Sequence, residues 1–90
     1  MNYELIILGG GESGVGSAIL AKTKGIRVFL SDSGILKEEH RKTLVDYGID
    51  FEEGGHTEES ILSASEIVKS PGIPDTIPLM QKIISKGIRV

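Results

Sequence analysis

The sequence predicts an α/β fold, a parallel five-stranded sheet with helices on both faces and its fifth strand truncated at the C-terminus. Three observations carry this. Short apolar runs alternate with helix-compatible stretches along the chain, the pattern of a parallel sheet covered by helices. Three of those stretches end on a glycine, at Gly25, Gly48 and Gly87, the residue that most readily takes the left-handed helix stop. The first apolar run feeds straight into Gly9-Gly10-Gly11-Glu12-Ser13-Gly14, a G-x-G-x-x-G turn with a strand before it and a helix behind it.

Taken in order, Leu5-Ile6-Ile7-Leu8 is a continuous apolar run closed by glycines, as a strand buried on both faces should be. Ser13 to Lys24 favours helix, with Val15, Ala18, Ile19 and Ala21 forming a stripe of small and branched residues that permits close packing on a sheet. Arg27-Val28-Phe29-Leu30 is the second strand and Ser31-Asp32-Ser33-Gly34 its turn. Lys37 to Tyr47 reads as the second helix, with Leu44, Val45 and Tyr47 on its apolar side. Ile49-Asp50-Phe51 is a brief, acid-flanked third strand near the sheet edge. Thr57 caps a short helix over Glu58 to Ala64. Glu66-Ile67-Val68-Lys69 is the fourth strand. The loop Ser70-Pro71-Gly72-Ile73-Pro74 is fixed by two prolines and a glycine. Asp75 or Thr76 then caps a helix through Lys86, with Pro78 in its first turn, and Ile88-Arg89-Val90 begins the fifth strand. Residues 1–90 form a single domain.

Composition narrows the function classes. A formal charge of −3 with dispersed lysines offers no basic face for a nucleic-acid backbone, so no nucleic-acid partner is expected. Cysteine is absent, which removes disulfides and thiolate metal sites. The longest apolar run is far short of a membrane span, and Glu4 with no basic leader does not read as a signal peptide. A soluble, cytoplasmic domain is expected.

Three loops follow strands and therefore converge on one edge of the sheet, where ligands of such folds bind. The glycine loop presents backbone N–H groups at a helix N-terminus, suited to phosphate oxygens. Asp32 lies 18 residues beyond Gly14, close to the offset of about 20 of a ribose-contacting acid, and Ser33 adds a hydroxyl. The Ser70–Pro74 loop is either a rigid connection or a frame of fixed N–H groups. His40 reads as a solvated helix residue and His56 as loop; the two do not make a metal pair with any carboxylate. The adjacent acids, Glu52-Glu53 among them, read as solvated faces and not as general acid/base couples. On these residues alone, an NAD-binding domain of a dehydrogenase or channel regulator explains the glycines and Asp32, but gives the Ser70–Pro74 loop no reason.

The three motifs together, Gly9 to Gly14, Leu30-Ser31-Asp32-Ser33 and Ser70-Pro71-Gly72-Ile73, resemble the N-terminal, Rossmann-like domain of the Mur ligases, closest to the D-glutamate-adding branch. The resemblance spans essentially all 90 residues. It implies a three-domain cytoplasmic enzyme of peptidoglycan biosynthesis, in which ATP and Mg²⁺ drive amide-bond formation through an acyl phosphate. This domain would hold the UDP part of UDP-N-acetylmuramoyl-L-alanine, with the central and C-terminal domains elsewhere. Gly11, Glu12, Ser13 and Gly14 would meet the diphosphate. Asp32 and Ser33 would lie near the uridine, followed by Gly34, which has no side chain to add. Gly72, within Ser70-Pro71-Gly72, would border the uracil. Gly34 is one departure from the family, and two more follow. Glu12 stands where an apolar residue is common, and its carboxylate must turn away from a diphosphate. No G-x-x-x-x-G-K-[S/T] loop for ATP occurs in the chain, so neither cofactor nor catalytic residue is expected here.

Overall fold

A computed structural model describes residues 3–90. Four strands and four helices alternate: β1 Leu5–Leu8, α1 Glu12–Thr23, β2 Val28–Ser31, α2 Glu38–Asp46, β3 Asp50–Glu52, α3 Glu58–Leu62, β4 Glu66–Lys69 and α4 Pro78–Lys86. All pairings are parallel, in the order β3-β2-β1-β4. The chain winds outward from β1 through β2 to β3 and then returns to the other side of β1. Strand order therefore reverses between β1 and β4, the place where open α/β sheets leave a crevice at their carboxyl ends.

Side-chain alternation divides the core into two layers. Ile6, Leu8, Phe29 and Ile67 face α3 and α4, packing with Ile61, Met80 and Ile83. Ile7, Val28 and Leu30 face α1 and α2, packing with Val15, Ala18, Ala21 and Leu44. The small stripe of α1 lets that helix lie close to β1. Tyr3 adds a ring stacked on Phe29, with centroids 4.9 Å apart, and donates its hydroxyl to Asp50 Oδ2 at 2.8 Å.

The expected fifth strand is not formed. Ile88-Arg89-Val90 contributes one isolated parallel bridge, Arg89 against Glu66, with Ile67 N–H donating to Arg89 O at 2.7 Å. A ladder gains its persistence from successive bonds, and one bond holds one residue. The apolar side of α2 is also narrower than expected. Leu44 is fully buried, whereas Val45 and Tyr47 are exposed. Each residue turns a helix by about 100°, so Val45 rotates away from the sheet, and Tyr47 is the C-cap. β2 ends on Ser31, one residue later than expected, and Ile77 rather than Asp75 or Thr76 is the N-cap of α4. Gly25, Gly48 and Gly87 all have φ near +70°, at 78°, 67° and 77°, as left-handed stops require.

Candidate ligand cleft at the carboxyl edge of the sheet

The strand ends are flush. Leu8 is level with Ser31 on one side and Lys69 on the other, and Ser31 is level with Glu52. The segments leaving β1, β2, β3 and β4 therefore emerge side by side. Gly9 N–H donates to Ser31 O and Ser70 N–H to Leu8 O, both at 2.9 Å, so the glycine loop is stitched to both neighbours before it turns.

That turn is made by glycines for different reasons. Gly9 has φ +108°, and a Cβ there would lie 2.9 Å from Ser70 Cβ. A Cβ at Gly14 would overlap the Gly9 carbonyl oxygen. Gly11 is another matter: nothing lies within 4 Å of where its Cβ would be. It is the N-cap of α1 and offers no side-chain cap. The N–H groups of Glu12, Ser13 and Gly14 have no acceptor among the described residues, which leaves a twelve-residue helix with open donors and the positive end of its dipole at the loop.

Two clefts meet on this loop. The larger, about 450 Å³, is lined by Gly9 to Gly11, Asp32 and Ser33 on one side and by Ser70, Gly72, Ile73 and His56 on the other. A smaller one of about 140 Å³ is lined by Gly11 to Gly14 with Ser70 and Pro71. Gly11 and Ser70 border both, so the sequence-selected residues come together around them. Gly34 lines neither. Glu12 borders the smaller cleft and not the larger one, with its side chain exposed.

Asp32 plays a part that spacing did not reveal. Its Oδ2 accepts from Gly10 N–H at 2.6 Å and its Oδ1 from Gly34 N–H at 2.8 Å. The carboxylate clamps the glycine loop to the turn after β2, and Gly34 serves that clamp. The Ser70–Pro74 loop is likewise held from within. Lys69 Nζ donates to Ile73 O at 3.0 Å and pairs with Asp75 at 3.4 Å, while Ile73 N–H closes a turn onto Ser70 O.

His40 corrects the sequence expectation, and His56, in a loop as expected, adds to it. His40 is half-buried, and its Nδ1 lies 3.1 Å from Gly10 O, to which it donates. It lines a third cleft of about 310 Å³ with Lys37 and Glu39. Its helix brings it there from thirty residues away, which no local pattern signals. His56 reaches the larger cleft because Gly54 and Gly55, at φ +78° and +156°, fold its loop back over β3.

Glu52 and Glu53 are also not free solvated acids: both are half-buried and engaged by partners. Glu52 ends β3 and Glu53 is the residue after it, and each acid finds its own donors. Glu53 accepts from Arg41 at 2.8 and 3.0 Å and from Leu36 N–H at 2.9 Å. The Arg41 guanidinium, then the Leu36 N–H, hold its carboxyl below the usual range. Glu52 accepts from Thr57 N–H at 2.7 Å, Thr57 Oγ1 at 2.6 Å and Ser31 Oγ at 2.8 Å. Burial would raise the Glu52 carboxyl, but these bonds and the charge of His56 outweigh it and hold the group low. A carboxyl with a lowered folded pKa stabilises the fold above its unfolded value, about 4.3, and loses that contribution as pH falls through the folded value. The melting temperature is therefore expected to fall as pH drops from about 5 to about 3, and Glu52→Gln to flatten that slope. Thermal unfolding followed by circular dichroism across this range checks both. Equal slopes in the two proteins would show that Glu52 is not stabilised by its partners.

Among the described residues no group of three or more His, Asp or Glu side chains is placed to hold a metal ion, and no helix is long and apolar enough to cross a membrane.

The chain is similar to known proteins over its whole length. The chain is 49% identical to a UDP-N-acetylmuramoylalanine–D-glutamate ligase of Porphyromonas gingivalis over 90 residues, all of this chain and 20% of that protein. It is 53% identical to the ligase of the same name from Cytophaga hutchinsonii, again over 90 residues and 20% of its length. The Bacteroides fragilis ligase is 51% identical over 83 residues. The chain thus spans about a fifth of the length of the curated relatives it matches. A murein peptide ligase from Psychrobacter arcticus superposes with a TM-score of 0.84 over 97% of this chain and 18% of its own, at 24% identity, a likeness of fold. The family model described as the MurD N-terminal domain matches residues 5–77, and with it the chain belongs to the MurD N-terminal domain family.

Proposed function

We propose that this chain holds the UDP moiety of UDP-N-acetylmuramoyl-L-alanine for an ATP-dependent ligase that adds D-glutamate in cytoplasmic peptidoglycan synthesis. The observation that supports this most is the pairing of open N–H donors at the start of α1 with a cleft of about 450 Å³ running from the glycine loop to the Ser70–Pro74 loop. A diphosphate is drawn to the first turn of α1, where Glu12, Ser13 and Gly14 give N–H groups and Ser13 a hydroxyl. Glu12, whose side chain is exposed, contributes its backbone N–H only. The nucleoside then extends toward Asp32, Ser33 and Gly72.

An NAD-type reading asks Asp32 to accept both hydroxyls of a ribose. Each of its oxygens already accepts a backbone N–H, so its first part is to hold the loops on which a ligand sits, and the NAD-type reading still gives the Ser70–Pro74 loop no part. ATP and Mg²⁺ belong to the ligase as a whole. The residues of this chain do not fit them: it has no G-x-x-x-x-G-K-[S/T] loop and no acid cluster among the described residues. The chain's own part is to bind and orient, and we place catalysis and the amino-acid site in the other domains of the ligase.

Titrating UDP-N-acetylmuramoyl-L-alanine and NAD separately into the isotope-labelled chain tests this by NMR. The UDP compound is expected to move the amide resonances of Gly11, Ser13 and Gly72, and NAD to leave them in place. Movement with NAD alone, or with neither, overturns the proposal.

A further inference from the structure

Ser31 is the buried polar side chain of the described core, with no exposed surface. Its Oγ lies 2.8 Å from Glu52 Oε2 and 2.6 Å from His56 Nδ1. A hydroxyl has one proton to donate, and an ionised carboxylate can only accept. The Ser31 proton therefore goes to Glu52, whose three donors keep it ionised. The short contact to His56 must then be an N–H donated by Nδ1 to the Ser31 oxygen. In the neutral ring this leaves Nε2 as an unprotonated acceptor, and it has no partner among the described residues. The ring is held from behind by strand-end residues while it lines the larger cleft.

An acceptor nitrogen has no attraction for phosphate oxygens, which also only accept. The carboxylates of Glu52, behind the ring, and of Asp32, across the cleft, further disfavour an anion there. A nucleotide diphosphate carries hydrogen-bond donors only on its nucleoside half. In a uridine these are the imide N–H of the base and the ribose hydroxyls. We propose that His56 reads the nucleoside of the bound nucleotide, its Nε2 accepting a hydrogen bond from the imide N–H or from a ribose hydroxyl. This rests on the cleft being a UDP site.

The test follows the ring nitrogens of His56 and the amides of Gly11 and Ser13 by NMR in the 90-residue chain, at about pH 8, above the ordinary imidazole range. Four probes are compared: UDP, inorganic pyrophosphate, UDP methylated at the imide nitrogen, and UDP lacking both ribose hydroxyls. Free protein is expected to show the Nδ1-protonated ring. UDP is expected to shift Nε2, pyrophosphate to move the loop amides without it, and one of the two analogues to abolish the Nε2 shift and so name the donor. His56→Ala is expected to weaken UDP about five-fold, the worth of one net hydrogen bond, with pyrophosphate affinity unchanged. An Nε2-protonated ring overturns the inference, as does an Nε2 shift that survives both analogues. So does a ring that ignores UDP while the loop amides respond, which leaves the UDP site standing. If neither ring nor amides respond to UDP, both readings fall.

Discussion

Replacing Gly14 by alanine is expected to destabilise the fold by about 3 kcal/mol and to lower its melting temperature by about 15 °C. The methyl group would overlap the carbonyl oxygen of Gly9. That oxygen is backbone and has no rotamer to escape into. Nor can Gly9 step aside, because its N–H is bonded to Ser31 O, its φ is +108°, and Ser70 Cβ crowds its other side. Relief must come from separating α1 from β1, which opens the layer made by Val15, Ala18 and Ile7. Gly11→Ala provides the contrast. Its φ of −76° suits any residue, and no atom lies within 4 Å of the new methyl. Only the preference for glycine over alanine at an N-cap is lost, about 1 kcal/mol or less. The Gly11 methyl would instead project into the phosphate end of the cleft and weaken UDP about ten-fold. Thermal unfolding with UDP titration separates the two. Equal losses of stability at both positions would show that the loop needs glycine for its backbone alone.

The same contrast shows what the sequence made legible. Strand, glycine turn and helix could be read because the apolar run, the glycines and the helical stripe are contiguous. The alternation beyond them was equally plain, and so were the three left-handed stops. The fifth strand could not be judged, because a ladder depends on register with β4 and not on composition. For the site, the location of Asp32 was legible and its clamp on the glycine loop was not. Its partner Gly10 lies 22 residues away, and only the pairing of β1 with β2 brings them together. His56 is 25 residues from Ser31, joined to it by the pairing of β2 with β3. Glu52 and Glu53 look alike in a sequence, yet at the end of β3 one meets Ser31 and Thr57 and the other Arg41. Contacts made through long-range partners leave no local mark in a sequence, whereas turns and stops set by local geometry do.

Asp32→Asn is expected to lower the melting temperature by about 5–10 °C, from a loss of about 1–2 kcal/mol, and to weaken UDP about ten-fold. The change keeps shape and removes one acceptor. Asp32 satisfies two N–H groups, Gly10 on one oxygen and Gly34 on the other. An amide has one oxygen, so either orientation sets its NH₂ against a backbone donor. If the oxygen turns to Gly34, the N–H of Gly10, a buried residue, is left facing the amide NH₂. An unsatisfied donor in such a place costs about 1–3 kcal/mol. The glycine loop then loses its tie to the β2 turn, and the N–H groups at the start of α1 are no longer held on the line of the cleft. Stability and affinity should fall together for this reason. A residue that only touched a ribose would behave differently, with affinity falling while the melting temperature stayed in place. Measuring both on the same protein decides between clamp and ligand contact. An unchanged melting temperature with weakened binding would return Asp32 to the ribose-contacting role that its spacing first suggested.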